Sequence, residues 1–190
     1  QLHRLIADHL LSLSEGDALR QDELMFHLIG SGDRLRAAKY YAGLTESLEL
    51  TGADRTIAAM VIEAGHLEKN PGLDLIESIL KQEGLTPVES GQICNHFLFT
   101  LPSALRNDAR LEAQAAITDL VRLRLVELLN TDPKNYRHSM DLSVSHQNLG
   151  DLALRIGNPG EALKHYEQQL AIDQELLNES PGNASRAYAV

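Results

Sequence analysis

The chain contains no tryptophan, and aromatic residues make up only 4% of its 190 positions. That argues against aromatic-rich sandwiches and propellers, and against base-stacking platforms for nucleic acid. A single cysteine, Cys94, rules out an internal disulfide and fits a reducing, cytoplasmic setting. β-Branched aliphatics are scarce: Val occurs 6 times and Ile 10 times, against 34 Leu and 20 Ala. Unbranched side chains keep their rotamer freedom in helices, so this vocabulary predicts an all-α fold. No apolar run approaches the roughly 20 residues that span a bilayer. There is no secretory start, since Gln1-Leu2-His3-Arg4 enters directly into a helical pattern. Nor is there an initiator Met, so the chain is expected to be an excised fragment or a processed product, which leaves room for a catalytic domain outside it.

Acid is what the sequence has in excess. Lys and Arg number 17 against 27 Asp and Glu, a formal charge of −10. Such a field repels phosphate backbones and anionic lipid, so neither nucleic acid nor membrane is expected as a partner. It favours a basic protein or peptide. The hydrophobic fraction of 43% suffices for a core and argues against disorder. The length fits one domain or an array of small units.

Apolar residues recur at helical spacing along the whole chain. Leu2, Leu5, Ile6, His9, Leu10 and Leu13 predict a first helix face, stopped by Ser14-Glu15-Gly16-Asp17. A second helix is expected to about Gly30. After the Ser31-Gly32-Asp33 turn, with Asp33 as N-cap, a third is expected to about Leu50. Ile57, Met60, Val61 and Ala64 mark a fourth face. Asn70-Pro71-Gly72 breaks the pattern, and Leu75, Ile76, Ile79 and Leu80 mark a fifth. Thr86-Pro87 opens a further helix, and the apolar stretch 92–101 reads as buried helix ended by Leu101-Pro102-Ser103. A long helix is expected from about Ser103 to Asn130, with Ala109, Ala113, Ala116, Ile117 and Leu120 on one face. Two more come after it, at about 136–156 and 159–179, split by Gly157-Asn158-Pro159-Gly160, and 183–190 read as the start of another.

Self-comparison exposes a repeat. Leu128-Leu129-Asn130-Thr131-Asp132-Pro133-Lys134-Asn135 recurs, 48 residues on, as Leu176-Leu177-Asn178-Glu179-Ser180-Pro181-Gly182-Asn183. A fixed period with breakers in register signals stacked helical hairpins. Within the period, His146-x-x-Leu149-Gly150-x-x-Ala153 precedes Gly157-Asn158, Ala162-x-x-x-Tyr166 and Pro181. Gly150 and Ala162 are small enough to let two antiparallel helices approach, with Leu149 and Tyr166 filling the space between them. This pattern over about 130–190 resembles the tetratricopeptide (TPR) signature, in its long bacterial form. It departs from the usual pattern in that His146 stands for a Trp, Ala153 for a Tyr, and the proline comes late, which lengthens the second helix.

Near the start, Gly32-Asp33-x-x-x-Ala37-x-x-x-Tyr41 repeats the spacing of Gly157-Asn158-x-x-x-Ala162-x-x-x-Tyr166. With Leu5-Ile6-Ala7-Asp8-His9-Leu10-Leu11 and His27-Leu28, it is similar to the helical arm of STAND-type signalling NTPases of the NACHT and NB-ARC kind. Together the resemblances imply antiparallel hairpins stacked as a right-handed superhelix. An irregular helical arm would occupy 1–130 and a regular repeat 131–190.

The sequence carries no convergent catalytic set. Gly30-Ser31-Gly32-Asp33 lacks the Lys-Ser/Thr of a phosphate loop and reads as a helix–helix turn. The eight histidines, among them His9, His27, His66, His146 and His165, form no HExxH motif and no Cys/His cluster. His146 occupies a packing position of the repeat, and Cys94 sits in an apolar stretch. No enzyme activity and no cofactor or metal is therefore expected.

In TPR hairpins the first helix lines the concave face. The resemblance thus implies a partner-binding stripe at Val144, Gln147, Asn148, Asp151, Leu154 and Arg155; the four-residue spacing by itself reads as an ordinary solvated face with an Asp151–Arg155 ion pair. The expected function is a protein-interaction scaffold in the sensor region of a larger signalling protein. It would also be able to self-associate through an uncapped terminal repeat. The alternative is a small-molecule sensor with an effector pocket within 1–130.

Overall fold

A computed structural model describes residues 1–44, 50–64, 70–105 and 111–179. Among these residues the secondary structure is helical, with no strand. The helices are α1 (Leu2–Ser12), α2 (Ala18–Ser31), α3 (Arg34–Ala42), α4 (Gly52–Ala64), α5 (Pro71–Leu80), α6 (Pro87–Phe99), α7 (Leu101–Leu105), α8 (Leu111–Thr131), α9 (Tyr136–Ile156) and α10 (Pro159–Glu179). They pack as two compact units, Gln1–Ala113 and Gln114–Val190. The division falls ahead of the 130/131 boundary read from the sequence, so most of α8 belongs to the second unit. None of the described helices is long and apolar enough to cross a membrane.

Short-range chemistry sets the helix ends in the first unit. The Asp17 carboxylate accepts from the Leu19 and Arg20 amides at 3.0 and 3.1 Å and starts α2. Asp33 accepts from Arg36 N at 3.1 Å and starts α3. Asn70 caps α5 ahead of Pro71, and Thr86 with Glu89 forms a reciprocal capping box ahead of Pro87 on α6. Gly32, at φ 79°, ends α2 in the left-handed region. The third helix stops at Ala42 rather than near Leu50. Gly43, a poor helix former, closes it with an N–H bond to the Lys39 carbonyl. Residues 45–49 lie outside the described set, as do His66 and Ala109. So do residues 180–190, with the Ser180-Pro181-Gly182-Asn183 stop and the further helix start expected at 183–190.

The core of this unit is mainly aliphatic, with Leu24 and Leu28 of α2, Ile57 of α4, Ile76 and Ile79 of α5 and Ile93 of α6 fully buried beside the Phe97 ring of α6. The apolar stretch before Leu101 is helical and buried, as expected. Leu101-Pro102-Ser103 does not end the helical path, however. It opens α7, because proline is tolerated in a first turn. The face of α1 differs from expectation. Ala7 and Leu10 are buried, whereas Leu2, Leu5 and His9 are exposed. Two adjacent stripes of α1 are apolar, and α2 covers only one of them.

One polar pair is buried within that core. Tyr41 Oη donates to Asp54 Oδ1 at 2.6 Å, and both residues are fully buried. Asp54 Oδ2 takes Thr51 N at 3.0 Å and Thr51 Oγ1 at 2.7 Å, so the carboxylate is satisfied. Burial, reinforced by the Asp54 charge, pushes the Tyr41 phenol well above its ordinary range. The Tyr41 ring packs against His96 and Phe97 at centroid distances of 5.1 and 5.0 Å. Helices α4 and α5 approach closely at Gly72, where a Cβ would lie 2.5 Å from Val61 N.

In the second unit, Asn135 caps α9 by accepting from His138 N at 3.1 Å. Left-handed Gly157 (φ 88°) ends the helix, and Asn158 leads into α10. Early positions of α9 meet late positions of α10 and late ones meet early ones: Ser143 pairs with Asp173, whereas His146 and Asp151 pair with His165 and Tyr166. The two helices are therefore antiparallel. The buried face of α8 is Gln114, Ile117, Thr118, Val121, Leu125 and Leu128. Among the described residues of the face read from the sequence, only Ile117 is buried, while Ala113, Ala116 and Leu120 are half-buried. Burying Val121, Leu125 and Leu128 removes more apolar area from water than burying alanines, and that difference decides the rotation of the helix.

Candidate functional site

The α9/α10 hairpin owes its close contact to Gly150. A Cβ there would fall 2.5 Å from Cε1 of Tyr166. The Tyr166 ring lies over this bare stretch of α9, and its hydroxyl donates to Asp151 Oδ1 at 2.6 Å. That hydrogen bond raises the Tyr166 pKa. Ala162 is buried on the same side of α10. Further along, Ser143 Oγ donates to Asp173 Oδ1 at 2.5 Å, which fixes the register of the two helices.

Beside this seam runs a groove of about 290 Å³. Tyr136, Met140, Val144 and Gln147 line it from α9, and Leu170 and Leu177 from α10. Among the described lining residues Asp173 is the sole charged group. Leu170 is 57% exposed and Leu177 51%; Leu163, one further step of seven residues along α10, is 59% exposed. Three leucines spaced by seven form one stripe on a helix, and here that stripe faces solvent.

Of the residues expected to bind a partner, Val144 and Gln147 line this groove. Asn148, Asp151, Leu154 and Arg155 are not among its lining residues; Leu154 and Arg155 are exposed toward the end of α9. The expected Asp151–Arg155 pair is not among the described ion pairs. Asp151 accepts the Tyr166 hydroxyl instead, a partner that comes from the other helix and so escapes an i,i+4 reading. The leucine stripe of α10 was not singled out from the sequence, although its seven-residue spacing is plain in Leu163, Leu170 and Leu177.

A second groove, of about 700 Å³, lies between α8 and α10 over α9, with Arg122, Val126, His146 and Ala171 in its lining. Nδ1 of His146 and Nδ1 of His165 stand 3.1 Å apart at its edge. Only one of these nitrogens carries the shared proton. Burial lowers the His146 pKa to about 4, aided by His165 and Arg122, and burial also lowers that of His165. Both rings are therefore neutral at pH 7. His146 is buried, as its packing position in the repeat implied; its partner His165 is a contact between helices that spacing does not reveal.

Among the described residues no group of three or more His, Cys, Asp or Glu could hold a metal ion. No protein-family model matches the chain, and comparison with curated proteins and with solved structures finds no match.

Proposed function

We propose that the chain is a non-catalytic protein-interaction scaffold of stacked helical hairpins, acting in the sensor region of a larger signalling protein. The observation that carries this reading is the exposed apolar face of the α9/α10 hairpin, lined by Met140, Val144, Leu170 and Leu177. Half-exposed leucines on a well-formed helix pair leave apolar area that a partner helix would remove from water. Fully burying a leucine is worth about 1.5–3 kcal/mol, so completing the burial of Leu170 contributes roughly half of that.

The repeat supports the stacked-hairpin reading. Leu128 and Leu176 occupy equivalent positions 48 residues apart, and both are buried. Tyr166 lies against Gly150 as the TPR resemblance implies. The chain's charge of −10 and the lone Asp173 in the groove favour a partner helix with an apolar stripe and basic flanks.

Selection of peptides from a displayed library against the full chain tests the reading. Selected peptides should bind wild type and lose at least tenfold in affinity for Leu170→Glu. Peptides that bind both proteins equally, or a library that yields no binder, would refute it.

A further inference from the structure

The first unit carries a groove of its own, between α2 and α4, of about 630 Å³. Its walls have helical spacing: Phe26 and Ile29 stand on one side, Ala59 and Met60 on the other. The groove narrows where Gly52 of α4 presses on the backbone of Gln21 and Asp22. At that end Arg55 and Asp22 neutralise each other at 2.6 Å.

Phe26 is 52% exposed, yet its ring is held in place. The His3 ring meets it edge-on at 5.4 Å and 66°, and the His27 ring at 5.2 Å and 82°. The two imidazoles are themselves joined, Nδ1 to Nδ1, at 3.0 Å. An exposed aromatic already fixed by its neighbours loses little freedom on being covered, which is the property of a binding anchor. Glu23 and Glu63 stand on opposite walls, and among the described residues neither has an ion-pair partner. Docking by strand addition needs a sheet edge, and the described residues offer none. A cleft between two packed helices, with apolar walls and an acidic rim, fits a third helix.

We propose that the α2/α4 groove docks an amphipathic helix of a partner protein, its apolar stripe on Phe26 and Met60 and its basic flanks against Glu23 and Glu63. This site lies in the first unit and does not depend on the α9/α10 face.

The test uses the full chain and a fluorescein-labelled, capped helical peptide of leucine and lysine with its leucines on one face. A scrambled peptide of the same composition serves as control, and anisotropy is read at 0.15 M salt. The amphipathic peptide should bind at least tenfold tighter than the scrambled one. Phe26→Ala, Ala59→Arg and the double variant Glu23→Lys/Glu63→Lys should each weaken it tenfold or more. Glu83→Lys/Glu112→Lys, which makes the same charge change at exposed positions outside the groove, should weaken it less than threefold. Thermal unfolding by circular dichroism checks that each variant is folded; Phe26 and Ala59 are both exposed, and the two variants test the same groove independently. Equal weakening by the two charge reversals overturns the proposal, as does unchanged affinity in Phe26→Ala and Ala59→Arg, or no preference over the scrambled peptide.

Discussion

Gly150→Ala is the sharpest probe of the hairpin, because its sign depends on one neighbour. Replacing a glycine in the interior of a helix by alanine ordinarily gains about 1 kcal/mol. Here the new methyl would lie 2.5, 2.8 and 2.9 Å from Cε1, Cζ and Cδ1 of Tyr166. Ordinary carbon contacts lie near 3.5–4.0 Å, so the ring must retreat by about 1 Å or α10 must lift. Overpacking of this kind costs about 1–3 kcal/mol, and the ring is further restrained by its 2.6 Å bond to Asp151. The net expectation is a loss of up to about 2 kcal/mol. In a Tyr166→Ala background the obstacle is gone, and the same substitution should stabilise the hairpin by about 1 kcal/mol. The double-mutant coupling is then the overpacking cost itself, about 1–3 kcal/mol. Hydrogen exchange of α9 and α10 peptides, read by mass spectrometry under mild urea, isolates this hairpin from the first unit. Equal effects of Gly150→Ala in the two backgrounds would refute the packing argument.

Other substitutions probe the first unit's core and the charge state of the second unit. Gly72→Ala places a methyl against the backbone of Val61, which no side-chain rotation relieves; it should destabilise the first unit by about 1–3 kcal/mol in urea titration. Tyr41→Phe removes the donor to Asp54 Oδ1 inside the core and should cost about 1–3 kcal/mol, seen as a lower thermal midpoint by circular dichroism. The His146 pKa, lowered to about 4, makes the second unit pH-sensitive. Below the ordinary imidazole pKa near 6.5 the unfolded chain takes up a proton that the folded chain refuses. Stability is therefore intact above about pH 6.5 and falls as the pH drops toward 4. After allowance for the solvent that reaches the groove edge, the loss is about 1–2 kcal/mol. His146→Leu should flatten that part of the profile measured by hydrogen exchange, and an unchanged slope would contradict the assignment.

Much of the helical framework is written locally and was readable. Asp33 and Thr86-Pro87 start helices through bonds to amides three residues ahead, and Asn70-Pro71 and Gly157-Asn158 punctuate the chain in the same short-range way. The Gly150–Tyr166 contact was also legible, because the repeat pairs a small residue with a large one across a hairpin. What escaped is non-local. Periodicity shows that α1 and α8 are amphipathic but not which of two adjacent stripes a neighbour covers; Leu2 and Leu5 thus lie exposed, and α8 turns on Val121 and Leu125 rather than on its alanines. Asp151 exchanged an expected neighbour on its own helix, Arg155, for Tyr166 on the next. The His3–His27 and His146–His165 pairs join residues 24 and 19 positions apart, and no motif spacing announces them. The α2/α4 groove likewise exists only once Gly52 has brought two helices together.

The interaction face of α9 and α10 is tested most directly by backbone amide NMR of the full chain, titrated with a peptide selected for binding to it. Shift changes should cluster on Met140, Val144, Gln147, Leu170 and Leu177 and vanish in Leu170→Glu. Changes spread evenly over the surface, or unaltered by Leu170→Glu, would contradict an interaction face there.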